Sequence, residues 1–336
     1  MEKRLQELFL EIGKRNDWHE YYMKPEKLKL KIECYAEKLM DKYDPVSLWD
    51  FQLYLIKWLD NVETIDEKFL LLNSLYFFTF FNREQCNTLY LEALRGPILK
   101  WLIDIKNLNI LDKNIDDILS EKIEPTFVST VTDSTNISTI RHIWDLPINQ
   151  TYTWHSFIDS DDNEEEKNNK INFCKKYLND WKYEQIVVLE DFVGSGTQSI
   201  KVIDFLGNFT EWKILFIPLV ICPQGDIAIS EQLRVNNYNH ISYEPISKLP
   251  WELILADERL PESNRWPDLL FELKEYAKNN YTKVIGKDNS DSRWYLGFKN
   301  IGALFAKYTN CPDCTLPLYY EKENINWKPL FPRSAR

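Results

Sequence analysis

The chain has no long hydrophobic run. Its densest apolar stretch, Phe69–Phe81, covers 13 residues and contains Asn73, Ser74 and Thr79, well short of the roughly 20 apolar residues a membrane-spanning helix needs. A buried helix is expected there instead, and no membrane association. Positive charge is not in excess either: 41 Lys and Arg face 52 Asp and Glu, a formal net charge of −11. That balance argues against broad electrostatic binding to nucleic acid, although a local basic patch stays open. Cysteine is sparse, with six residues at 34, 86, 174, 222, 311 and 314 and no disulfide-like framework, which fits a reducing cytoplasm. Only Cys311 and Cys314 have metal-like spacing. One CxxC supplies two ligands where structural zinc takes four, and neither a second Cys pair nor a His pair follows, so no zinc is expected. The start, MEKRLQELFLEIGKR, alternates charged and apolar residues as an amphipathic helix does, and no secretory signal is expected. No internal repeat or low-complexity tract is evident.

What is present is ample core material: 44% apolar and 14% aromatic residues in 336, a length that suggests two domains. From Glu2 to Asn107 the pattern is mostly helical, through LWDFQLYLIKWL (48–59), the 69–81 run and LYLEALRGPILKWLIDI (89–105), punctuated by Pro45, Asn82 and Gly96–Pro97. The expectation is an all-α N-terminal domain over 1–120, its aromatic residues serving as core or as a surface for a protein partner or self-association. From Pro125 the period shortens. TFVSTV (126–131) reads as a strand, TDST (132–135) as a turn and NISTIRHIW (136–144) as a short helix. The acidic run DSDDNEEE (159–166) lacks the central Gly and the final Glu of a calcium loop and reads as a solvated surface loop. A helix over 167–181, a strand near 186–189, a helix to about 209, and then strand 212–222, helix 227–235 and strand 240–246 complete an α/β pattern. Such alternation implies a parallel sheet flanked by helices over 121–336, with ligand at the carboxyl ends of its strands.

The chemistry concentrates in VVLEDFVGSGTQ (187–198): a β-branched run, the adjacent carboxylates Glu190 and Asp191, and a Gly-Ser-Gly turn entering a helix. Backbone N–H groups and the helix dipole at such a turn favour a phosphate. Carboxylates just before it can accept from ribose hydroxyls or hold a hydrated Mg²⁺. A nucleotide-binding P-loop is excluded, because its Lys is missing. The amino-methyltransferases of DNA carry a similar string for S-adenosylmethionine, but also need an Asn/Asp-Pro-Pro-aromatic tetrapeptide that this chain lacks; that reading ranks behind the next one.

Glu190, Asp191, Phe192, Val193, Gly194, Ser195 and Gly196 fit in order the ribose-phosphate motif of type I phosphoribosyltransferases. Together with the C-terminal segment from Trp294 to Ser334, with its Asn310-x-Pro312 and Trp327-Lys-Pro-Leu-Phe331-x-Arg333 elements, the chain resembles the phosphoribosyltransferase-like domain of bacterial conflict (anti-phage) systems. The resemblance implies a type I phosphoribosyltransferase-like fold. It implies that Gly194, Ser195, Gly196, Thr197 and Gln198 cradle a 5′-phosphate, and that Glu190 and Asp191 act at the ribose, with Mg²⁺ accompanying a phosphoribosyl pyrophosphate-like ligand. The turn containing Thr132, Asp133 and Ser134 falls where the family has its pyrophosphate loop, with Arg141 as a phosphate partner. Two departures matter. Gly194 stands where salvage enzymes often place an Asp acting on the base, and Gln198 follows Thr197 where the motif closes on Thr. These leave His142 and His155 as the nearest acid–base candidates and make free-base salvage doubtful. Two classes remain: an enzyme acting at the anomeric carbon, by ribosyl transfer or N-glycosidic cleavage, or a nucleotide-sensing module without turnover.

Overall fold

The computed structural model describes residues 2–14, 24–40, 42–135, 137–144, 153–158, 161–255, 268–286, 294–322 and 324–333. Asn136, Asp159, Ser160 and Ser334, which carried parts of the sequence expectations, lie outside them. The strands in chain order are β1 (Thr79–Phe81), β2 (Thr126–Thr130), β3 (Gln185–Glu190), β4 (Lys213–Pro218), β5 (Val220–Ile221), β6 (Ile241–Tyr243), β7 (Ser247–Lys248) and β8 (Phe305–Lys307). Two compact units are formed, one from 87–249 and one from 1–86 with 250–336.

In the 87–249 unit, β2, β3, β4 and β6 make a four-stranded, all-parallel sheet in that order. All six residues of β3 are buried, as a strand covered on both faces requires. Side chains alternate along it. Ile186 and Val188 pack in one layer with Ile171, Val202, Ile203 and Ile229, and Val187 and Leu189 pack in the other with Ile98, Trp101, Ile140 and Leu215. The helices after β3 (Thr197–Leu206) and after β4 (Pro223–Val235) join the first layer, as right-handed crossovers between sequential neighbours demand. The Ile137–Trp144 helix after β2 buries Ile140 and Trp144 in the opposite layer. The chain therefore leaves the carboxyl ends of β2 and β3 toward opposite faces, which opens a crevice between two adjacent strands.

Several boundaries differ from expectation for identifiable reasons. The 212–222 strand is two: Pro218 has no N–H to continue the ladder, and after it Leu219 donates to the Glu190 carbonyl at 2.7 Å before β5 pairs with β7. The acidic run is not all loop. Asn163 caps the Glu164–Asp180 helix in a reciprocal box with Glu166, and Glu164–Glu166 occupy its first turn, where the helix dipole favours negative charge.

The second unit is built from both ends of the sequence. Helices Glu2–Gly13, Pro25–Cys34, Phe51–Leu59 and Ile65–Ser74 share one core with Leu269, Leu273, Leu304, Tyr319, Trp327 and Phe331. The Trp58 indole donates to the Leu318 carbonyl at 2.7 Å, and the Tyr43 hydroxyl to that of Phe331 at 3.3 Å. The 69–81 run is not one helix. Its helix stops at Ser74, where Asn73 and Ser74 bond back to Phe69 and Leu71 carbonyls, a competition that weakens helices; its last three residues form β1, parallel to β8. An all-helical N-terminal part is thus not what forms, and the division between units does not fall at residue 120. Among the described residues, no helix is long and apolar enough to cross a membrane.

Candidate functional site

The site lies at the carboxyl ends of β2 and β3, and its first feature is a tie between the two loops that leave them. Glu190, 4% exposed, is the last residue of β3. Its carboxylate accepts from the Thr132 N–H at 3.2 Å, the Thr132 hydroxyl at 2.9 Å and the Thr135 hydroxyl at 3.3 Å. Thr135 in turn accepts from the Asp191 N–H at 3.0 Å. Asp191, also buried, accepts from Ser134 Oγ at 3.1 Å. The hydroxyls of Thr132 and Ser134 are 2.7 Å apart, so Glu190, Thr132, Ser134 and Asp191 form one chain of oxygen contacts. Each hydroxyl has one hydrogen to give. With both carboxylates ionised, two hydrogens serve three contacts.

The second feature is the turn itself. Gly196 has φ +77° and is the N-cap of the Thr197–Leu206 helix, with no side chain capping the first turn, so the left-handed geometry that glycine tolerates leaves backbone donors at a helix start. Ser195 and Thr197 hydroxyls lie 2.9 Å apart beside it. Gly194, Ser195 and Thr197 are partly exposed and Gln198 is exposed. The segment is fixed from behind: the Val193 N–H donates to Val220 O at 2.9 Å and the Cys222 N–H to Val193 O at 2.8 Å. A Cβ on Gly196 would point at Gly225 and Ile229, 3.4 and 3.6 Å away. A side chain there would therefore press on the neighbouring helix and strain the backbone.

Sequence reasoning passes over two residues. Thr135 links the Glu190 carboxylate to the Asp191 backbone N–H; the sequence places it in the hydroxyl-rich TDST turn and gives it no role of its own. Gly225, in the first turn of the Pro223–Val235 helix, packs so closely that a Cβ would sit 2.6 Å from the Gly194 carbonyl oxygen. A glycine inside a helix costs about 1 kcal/mol relative to Ala, and that was the available signal. The next residue, Asp226, accepts from the Tyr243 hydroxyl and the Lys248 ammonium, each at 2.7 Å, which fastens this helix start to β6 and β7.

Other expected residues are placed elsewhere. Asp133 is exposed in the turn. Arg141 is half-buried on the Ile137–Trp144 helix. His142 is exposed on the same helix. His155 lies in the short Trp154–Phe157 helical turn, its backbone N–H donating to Val131 O at 2.9 Å. Cys311 and Cys314 are buried in the other unit; Cys311 Sγ donates to Phe305 O at 3.8 Å, and burial pushes its thiol up to about 12, which disfavours the thiolate that a metal takes. The C-terminal Trp327 and Phe331 are core residues there. Among the described residues, no three His, Cys, Asp or Glu side chains group as a metal cage.

A parallel α/β sheet that delivers Glu-Asp and a Gly-Ser-Gly turn to a helix start defines a phosphoribosyltransferase-like domain. The chain belongs to the PRTase-CE family, whose model matches residues 55–333. That span takes in the sheet, the site and much of the two-ended unit. A search of curated proteins gave no match.

Proposed function

We propose that this protein binds the ribose 5-phosphate moiety of a phosphoribosyl pyrophosphate-like ligand or nucleotide at the ends of β2 and β3, and acts at its anomeric carbon as an effector of a bacterial conflict system. The observation that carries the reading is the tie between Thr132–Thr135 and Glu190–Asp191 beside an uncapped helix start. It brings carboxylate charge and anion-binding amides to one crevice. The backbone from Gly194 to Thr197 would hold the 5′-phosphate. Asp191 would lie against the ribose, where its charge stabilises the oxocarbenium character that develops as the leaving group departs. Positioning of the two halves supplies the rest.

Mg²⁺ fits this donor set in part. It takes hard oxygen ligands, keeps several waters, and is commonly shared between one or two carboxylates and substrate phosphates. Asp191 is such a donor next to the anion-binding turn, whereas both Glu190 oxygens already accept from Thr132 and Thr135. When bound with a pyrophosphate ligand, the ion would neutralise charge on the leaving group. Buried free thiols at Cys174, Cys222 and Cys311 suit action in a reducing cytoplasm, and the N-terminal helices would serve partner recognition or self-association.

The test is incubation with phosphoribosyl pyrophosphate, Mg²⁺ and a nucleotide panel, followed by mass spectrometry, alongside ribose 5-phosphate binding by calorimetry. Consumption by the wild type that is lost in Asp191→Asn supports the enzyme. Binding without consumption selects the nucleotide-sensing module, which the absence of an acid or base at Gly194 favours. A folded protein that neither binds nor consumes any of these ligands refutes both.

A further inference from the structure

Two adjacent acids before a phosphate turn invite the reading that both grip the ribose, and the geometry separates them. Successive side chains on a strand point to opposite faces, and Glu190 is the last residue of β3. Three donors from the Thr132–Thr135 turn converge on its carboxylate, and the residue is 4% exposed. Thr135, itself 3% exposed, is too buried to touch a ligand, yet it bonds both Glu190 Oε2 and the Asp191 N–H. Hydrogen bonds to an ionised acceptor are the strong kind, and leaving such buried donors unpaired is costly.

Resting on the ribose 5-phosphate reading above, we infer that Glu190 is a positioning residue: it ties the Thr132–Thr135 turn to the ribose-phosphate strand, so that the ribose contact falls to Asp191 and the two halves of the crevice are held as one preformed element. A ligand bound at the Gly194–Thr197 turn then meets Asp191 at a height fixed by Thr135. Loosening the tie changes affinity without removing any group that touches the ligand.

The experiment measures ribose 5-phosphate affinity and backbone hydrogen exchange in Glu190→Gln, Thr135→Val, their double variant and Thr135→Ser, all well below each variant's Tm. The expected result is a loss of about tenfold in each of Glu190→Gln and Thr135→Val. The double variant should lose no more than the worse single, because the two residues act through one tie. Exchange should rise at residues 132–135 in both, and Thr135→Ser, which keeps the hydroxyl, should bind as the wild type does. Thr135→Ser also keeps the test valid if Thr135→Val fails to fold, since normal binding with slow exchange supports the tie, and weakened binding with slow exchange overturns it. A Glu190→Gln variant that loses affinity while exchange at 132–135 is unchanged, or whose effect multiplies with that of Thr135→Val, places Glu190 on the ligand and overturns the inference. Unchanged affinity in Glu190→Gln overturns it as well. A wild type that binds no ribose 5-phosphate refutes the functional reading itself, a distinct outcome seen before any variant is made.

Discussion

Gly225→Ala adds one carbon at the place where two helix starts meet. The new Cβ would stand 2.6 Å from the Gly194 carbonyl oxygen and 2.9 Å from Val193 Cγ1, up to about 1 Å inside the roughly 3.5 Å at which carbon packs without repulsion. Neither side can retreat cheaply. Val193 is bonded through both its N–H and its carbonyl to Val220 and Cys222, and the Pro223–Val235 helix is anchored at Asp226 by Tyr243 and Lys248. Overpacking of a fixed site costs about 1–3 kcal/mol, and with both partners pinned the upper part of that range, about 2–3 kcal/mol, applies. For a domain of this size each kcal/mol moves Tm by about 2–4 °C, so the variant should melt about 4–12 °C below the wild type. Relief of the clash must displace Gly194, and the Gly194–Thr197 turn, proposed above as the phosphate cradle, moves with it. The assay is a thermal scan with and without ribose 5-phosphate, whose stabilising effect follows ligand concentration over Kd. The ligand-induced rise should shrink in Gly225→Ala. A variant that melts with the wild type and shows the same rise with ligand would refute the claim that Gly225 sets the position of the turn.

Gly96 gives the opposite expectation: a Cβ there meets nothing within 4 Å, so Gly96→Ala should raise stability by about 0.5–1 kcal/mol and leave the ligand-induced rise unchanged, as the same thermal scans would show. The Cys311→Ser, Cys314→Ser double variant should remain folded with a loss of about 1–2 kcal/mol from burying two hydroxyls, and elemental analysis should find no zinc in either protein; stoichiometric zinc lost together with the fold would reverse that account.

The central strand was readable because Ile186–Leu189 is a short, continuous apolar run rich in β-branched residues, the pattern of a strand buried on both faces. The turn was readable because two of the chain's nine glycines fall at 194 and 196, directly after two acids. What Glu190 does was not visible: a residue name does not show which neighbour takes its oxygens, and the sequence reading gave Glu190 and Asp191 the same task at the ribose. The helix expected over 69–81 failed because Leu, Phe and Tyr runs read alike in a buried helix and a buried strand; the partner that makes β1 a strand, Phe305–Lys307, lies over 200 residues away. The same distance hid the two-ended unit. Hydrophobic pattern marks Trp58 and Tyr319 as buried, but not as the stacked pair they form, ring centroids 5.2 Å apart.

That two-ended unit has a consequence for synthesis. A ribosome releases Leu5, Ile12, Leu28 and Leu55 long before the residues that close their core, from Leu269 to Phe331, have been made. The 87–249 unit, continuous in sequence, has all its strands before then and can complete its sheet first. During that interval the early helices carry an apolar face with no partner, the circumstance in which nascent chains depend on chaperones. Nascent chains stalled near residue 300 should therefore show a protease-resistant 87–249 segment and protease-sensitive early helices, whose core closes only once Leu304 to Phe331 have emerged.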